Sequence, residues 1–145
     1  MRIVLQRVNK ASVTVDGEIK GSIGKGYLLL LGISSDDTLE KCEKTIQKIK
    51  NLRVFSDEND KINLSIKDVD GSVLVVSQFT LYADCKKGSR PSFTEAAKPD
   101  FAEKMYNEFV NICRKNFSDT QCGVFGADMK VSLENDGPFT LVLEY

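Results

Sequence analysis

Along the first third of the chain, apolar and polar positions exchange with the short periods of β-structure. Ala11-Ser12-Val13-Thr14-Val15 alternates as a half-buried strand does. Asp16-Gly17 offers the positive-φ residues that a two-residue hairpin demands, and Glu18-Ile19-Lys20 begins the return. Gly24-Lys25-Gly26 then leads into Tyr27-Leu28-Leu29-Leu30-Leu31, an unbroken apolar run that suits a central strand buried on both faces.

From Asp37 the period lengthens. Leu39, Cys42, Ile46 and Ile49 fall on one helical stripe, with Asp37 as the expected N-cap and Glu40 at capping-box spacing. Lys41, Lys44 and Lys48 take the other face, which reads as solvated surface. Asp57-Glu58-Asn59-Asp60 reads as a solvated loop, because it lacks the ligand spacing and the glycine of an EF-hand. Ile62-Asn63-Leu64-Ser65-Ile66 alternates and Asp70-Gly71 turns. Val73-Leu74-Val75-Val76 enters a strand expected to run on through Ser77-Gln78-Phe79-Thr80-Leu81, where polar residues interrupt it. Cys85-Lys86-Lys87-Gly88-Ser89-Arg90-Pro91 is a basic loop, and Pro99 suits the first position of a second helix with the stripe Phe101, Met105, Phe109 and Ile112. Met129-Lys130-Val131-Ser132-Leu133 alternates, Asn135-Asp136-Gly137-Pro138 turns, and Phe139 to Leu143 closes the chain's last strand. The expected architecture is α+β: a single domain over residues 1–145, with a mostly antiparallel, barrel-like sheet covered by two helices.

A length of 145 residues, 41% hydrophobic and 28% charged, is enough to bury a core without disulfides or metal. The formal charge of −1 supplies no large net field toward polyanions, so a nucleic-acid partner must be met by local cations. The longest apolar run falls far short of the roughly 20 residues that span a bilayer, and Met1-Arg2-Ile3-Val4 opens no signal peptide, so a cytoplasmic protein with no membrane partner is expected. The chain contains no histidine. That excludes Ser-His-Asp and Cys-His machinery, HExxH zinc chemistry and imidazole proton shuttles. Cys42, Cys85, Cys113 and Cys122 form no CxxC pair and read as reduced thiols, Cys42 and Cys113 on apolar helix faces. No metal and no cofactor is expected.

Three features remain as candidate chemistry: Ser77-Gln78-Phe79-Thr80, the basic loop through Arg90, and Gly137-Pro138. Each has an ordinary reading on its own: a polar strand segment, solvated cations, a turn. Together they resemble the D-aminoacyl-tRNA deacylases over nearly the whole chain. Met1 to Val8 is similar to the family's start, Ser77-Gln78-Phe79-Thr80-Leu81-Tyr82 to its first signature and Asn135-Asp136-Gly137-Pro138-Phe139-Thr140 to its second. Gly88-Ser89-Arg90-Pro91-Ser92-Phe93 and Phe125-Gly126-Ala127-Asp128-Met129 are also family-like. One departure is Phe139, where the family pattern leads one to expect a smaller Val.

The resemblance implies hydrolysis of the ester that joins a D-amino acid, or glycine, to the terminal adenosine of tRNA. It implies a homodimer in which Gly137-Pro138, with a cis peptide, reaches into the partner's site and rejects L-substrates with its main chain. An aminoacyl ester is already activated, so orientation and oxyanion stabilisation suffice, and the missing histidine fits. Main-chain N–H groups near Phe79 and Thr80 are the expected oxyanion donors, with Ser77, Gln78, Phe79 and Thr80 as the catalytic segment. Thr80 reads as a positioning residue, with a nucleophilic role as the alternative. Phe125 and Met129 are candidates for the adenosine pocket, with core packing as the other reading. Arg7 is a candidate brace for the glycine-proline turn across the dimer, or else a surface arginine on an edge strand. Lys86, Lys87 and Arg90 are the expected contacts to tRNA phosphates. Two further classes stay open: a nucleic-acid-binding module without turnover, and a general small-ester hydrolase with Thr80 as nucleophile.

Overall fold

The computed structural model describes residues 1–145. Its organising element is the strand β1 (Arg2–Val15), which is long enough to serve different partners along its length. On one edge, its first half pairs with β3 (Gly26–Gly32) and its second half with β2 (Glu18–Ile23), both antiparallel. On the other edge it pairs antiparallel with β8 (Lys130–Glu144) from end to end. The expected hairpin is present: Val15 faces Glu18, and Asp16 and Gly17 both have positive φ. After β3 the chain forms helix α1 (Leu39–Asn51), then a small antiparallel ribbon of β4 (Arg53–Ser56) and β5 (Ile62–Ser65). Strand β6 (Ser72–Ser77) follows, then helix α2 (Pro99–Asn116) and β7 (Thr120–Cys122).

Two pairings are parallel, β3 with β6 and β6 with β7, and each is bridged by one helix, as a parallel crossover requires. The sheet order β2-β1-β3-β6-β7 curls until its ends meet. At that seam Gly21 of β2 lies so close to β7 that a Cβ there would sit 3.0 Å from the Cys122 carbonyl. The result is a single-domain α+β fold with a nearly closed, barrel-like sheet.

β3 divides two cores, which is why its apolar run is unbroken. Tyr27, Leu29 and Leu31 face the larger core, with Ile46, Ile49 and Phe109 from the two helices. Leu28 faces a smaller core with Val8, Val13, Leu74 and Val76. Cys42 and Cys113 are buried in the larger one, as their helical positions imply.

Several local expectations are corrected. The N-cap of α1 is Thr38, whose hydroxyl accepts from Lys41 N, because the Asp37 carboxylate is turned inward. It takes the Met1 ammonium and the Ser34 amide instead. Glu40 therefore closes no capping box and pairs with Lys44 at 2.6 Å. Leu39 is exposed, and the buried stripe of α1 is Cys42, Thr45, Ile46 and Ile49. In α2, Pro99 does stand in the first turn, but the buried stripe is Ala102, Met105, Tyr106, Phe109, Val110 and Cys113. Phe101 and Ile112 flank it. No helix is long and apolar enough to cross a membrane.

Candidate active site

β6 ends at Ser77 rather than at Leu81. Gln78 leaves the ladder, and Phe79–Tyr82 wind into a single 3₁₀ turn. The polar residues that interrupt the apolar run thus mark the end of the strand. Gln78 N donates to Leu31 O at 2.8 Å, which holds the departing chain against β3. The turn packs closely on Gly32, where a Cβ would meet the Gln78 carbonyl and Leu81 Cβ at 3.1 Å and push them back by a few tenths of an ångström. From below, Arg2 Nη1 donates to Leu81 O at 2.6 Å, its guanidinium 4.7 Å from the Tyr82 ring centre.

The first hydrogen bonds of the turn run from Leu81 N to Gln78 O and from Ala83 N to Thr80 O. The amides of Phe79 and Thr80 precede these and have no partner within the turn. The Gln78 carboxamide donates to the Thr80 hydroxyl, tying the two side chains together.

Beside the turn lies a groove of about 590 Å³, within the range of small-molecule sites. Ser77, Gln78, Phe79, Phe125 and Met129 line it, together with Phe93, Ala97, Ala102 and Val131. Sequence reasoning had not given Phe93, Ala97 or Ala102 a role there. Phe93 stood inside a family-like segment, whereas the alanines carry no chemical signal and admit a ligand by being small. The only charged lining residue is Asp128, already paired with Lys130 at 2.8 Å. The far wall is fixed by Tyr106 of α2, whose hydroxyl lies 2.9 Å from Val75 O and 3.3 Å from Gly123 O. Burial holds that phenol above its usual titration range. Its ring stands 5.7 Å from Phe125.

The remaining site residues lie elsewhere in the chain. Gly137 and Pro138 do not reverse its direction: β8 continues through them, paired to β1 on both sides with register shifts opposite Val8. Their peptide bond is cis, both residues are exposed, and they do not line the groove of their own chain. Arg7 is no surface arginine on an edge strand. It is 7% exposed on the central strand β1. Its guanidinium donates to the carbonyls of Val54 and Asp136, pairs with the Asp136 carboxylate at 3.1 Å, and lies 4.9 Å from the Phe139 ring centre. Within one chain, Arg7 thus already braces the residues on either side of the glycine-proline pair. A Cβ on Gly137, at φ 131, would come within 3.0 Å of Arg7 Nη2. Asn135 completes the frame by accepting from Phe139 N at 2.7 Å. The extra bulk of Phe139 is absorbed between Arg7 and the large core.

Lys86, Lys87 and Arg90 are exposed on a loop whose ends are clamped by two bonds, Asp84 N to Ser92 O at 2.7 Å and Ser92 N to Asp84 O at 2.9 Å.

The fold is shared with solved structures. One, named c-Myc DNA Unwinding Element Binding Protein, has a TM-score of 0.94 and 45% identity, covering 100% of this chain and 99% of that one. Another, described as a probable eukaryotic D-amino acid tRNA deacylase, shares the fold with a TM-score of 0.85 at 18% identity, covering 98% and 97%. The family described as D-Tyr-tRNA(Tyr) deacylase matches residues 4–144. Relatives named D-aminoacyl-tRNA deacylase match over 144 residues at 56% identity in Clostridium acetobutylicum and 54% in Thermosipho africanus, each over 99% of this chain and 97% of the relative. The chain belongs to this deacylase family.

Proposed function

We propose that the protein hydrolyses the ester between a D-amino acid, or glycine, and the terminal adenosine of tRNA, releasing both. The observation that carries this reading is a groove with no unpaired ionisable side chain in its lining, beside a turn whose first two amides have no partner within it. Such a site suits a substrate that is already activated and needs holding more than it needs a protein base.

Water adds to the ester carbonyl carbon, and the charge that develops on its oxygen is taken by the Phe79 and Thr80 amides. The carbon–oxygen bond to the ribose then breaks. The adenosine oxygen leaves with the proton given up by the attacking water, relayed through its neighbouring hydroxyl. Thr80, with Gln78 on its hydroxyl, positions the ribose, and Phe125 and Met129 hold the adenine. No metal is required in this scheme.

Gly137 and Pro138 lie outside the groove of their own chain, so their use in selection requires a homodimer that presents them to the partner's groove. Their rigid main chain would take the substrate's α-amino group and refuse an L side chain. Lys86, Lys87 and Arg90 meet the phosphates. The protein acts in the cytoplasm, where charged tRNA is found.

A second reading is a nucleic-acid-binding module without turnover. The 45% identical structure, whose name is that of a DNA-element-binding protein, favours it, as does the exposure of Phe79. The deciding experiment is release of amino acid from matched D-, L- and glycyl-tRNA at sub-stoichiometric enzyme, with chelator present. Turnover of the D and glycyl esters with the L ester spared supports the deacylase. Binding that leaves every ester intact supports the module.

A further inference from the structure

The groove has two zones. Its more covered lining is Ala97, Ala102, Phe125, Met129 and Val131, whereas its rim carries an aromatic pair turned toward solvent. Phe79 and Phe93 stand edge to face at 5.0 Å between ring centres. They are 58% and 37% exposed. Exposing two adjacent phenyl rings is unfavourable unless something covers them.

The cationic loop springs from the same rim. Ser92, next to Phe93, is bonded in both directions to Asp84, which closes the loop bearing Lys86, Lys87 and Arg90. A free nucleoside carries no phosphate and would leave those cations unused. A strand that enters the groove by its last nucleotide must pass its first phosphodiester, and then its next base, across this rim. Exposed aromatic faces beside backbone-neutralising cations are the recurring construction for unpaired nucleotides.

We propose that Phe93, with Phe79, forms a stacking subsite for the base that precedes the terminal adenosine, so that the enzyme grips a single-stranded 3′ end of at least two nucleotides. This deepens the proposed function and rests on its placement of the terminal adenosine in the groove. The recognition is of a base face, so it tolerates different bases.

The test compares binding of the trinucleotide CpCpA with binding of adenosine 5′-monophosphate by calorimetry, on wild type, Phe93→Leu and Phe93→Tyr. Leucine keeps apolar cover on Phe79 but offers no π-face, and tyrosine restores one. Stacking predicts that Phe93→Leu weakens CpCpA about tenfold, leaves the mononucleotide within about twofold, and is rescued by Phe93→Tyr. Equal weakening of both ligands would make Phe93 part of the adenosine pocket and overturn the subsite. So would a wild type that binds the trinucleotide no better than the mononucleotide. Hydrolysis of a D-aminoacyl ester of adenosine by the wild type, measured in parallel, reports on the deacylase reading separately, because the binding comparison requires no turnover.

Discussion

Arg7 Nε sits 3.0 Å from the carbonyl oxygen of Asp136 and 3.1 Å from its carboxylate, so one guanidinium holds both the main chain and the side chain of the residue before Gly137. The same group satisfies the Val54 carbonyl, which links the exposed segment to the interior. Replacing Arg7 by alanine orphans that buried carbonyl and frees the segment. The expected cost is about 3 kcal/mol in urea unfolding. Lysine restores charge without the fork, so Arg7→Lys is expected to regain less than half of the loss. If the segment selects substrate, both variants also lose discrimination between D- and L-aminoacyl-tRNA, measured as a ratio of kcat/KM values. An unchanged ratio in a folded variant would separate Arg7 from selection.

Thr80→Ala is expected to retain turnover, reduced about tenfold to a hundredfold through loss of positioning. Mass spectrometry of a quenched reaction should find no acyl group on the chain. Complete loss of turnover with intact tRNA binding would instead make Thr80 the nucleophile.

Reversing Lys86, Lys87 and Arg90 to glutamate together should weaken tRNA binding and flatten its salt dependence. The slope of log K against log salt is expected to fall by about 2, since each single-strand phosphate contact contributes about 0.7. The Tm should barely move, because these side chains are exposed. An unaltered slope would remove the loop from the tRNA interface.

The thiols should separate by burial. Cys85 is exposed and should react with a thiol reagent in the folded protein, whereas Cys42 and Cys113 should react only on unfolding. Burial pushes the Cys42 thiol up to about 11 and moves Cys113 in the same direction. An unfolded thiol ionises near about 8.5. The folded state therefore keeps a proton that the unfolded state releases. That stabilisation is intact below pH about 8.5 and is lost as pH rises toward 11. Urea midpoints measured across this window should fall, and the fall should be shallower in Cys42→Ala.

The hairpin at Asp16-Gly17 and the central strand at Tyr27 to Leu31 were legible because pairing partners adjacent in sequence, or burial on both faces, write themselves into local pattern. The boundary at Ser77 was harder. The strand stops there because Gln78 bonds to Leu31 and the turn settles on Gly32, both contacts with a distant part of the chain. Asp37 looked like a cap for the same reason that it is not one: its carboxylate is a good acceptor, and the Met1 ammonium claims it. Arg7 could not be assigned to one side of a sheet before β8 was known to pass along β1. The site residues near position 77 and those near 125 share a groove because β7 pairs in parallel with β6, far from it in sequence, and Tyr106 of α2 ties the two strands' ends together.

Gly32 touches no proposed substrate, yet it sets where the Phe79 and Thr80 amides stand. When the working groups are peptide units, side-chain truncation in the groove can loosen the substrate but leaves the main-chain donors themselves in place. Sensitivity moves to the places where the main chain is propped from behind, and a single methyl group added at Gly32 would press on the Gln78 carbonyl from the side the substrate never sees.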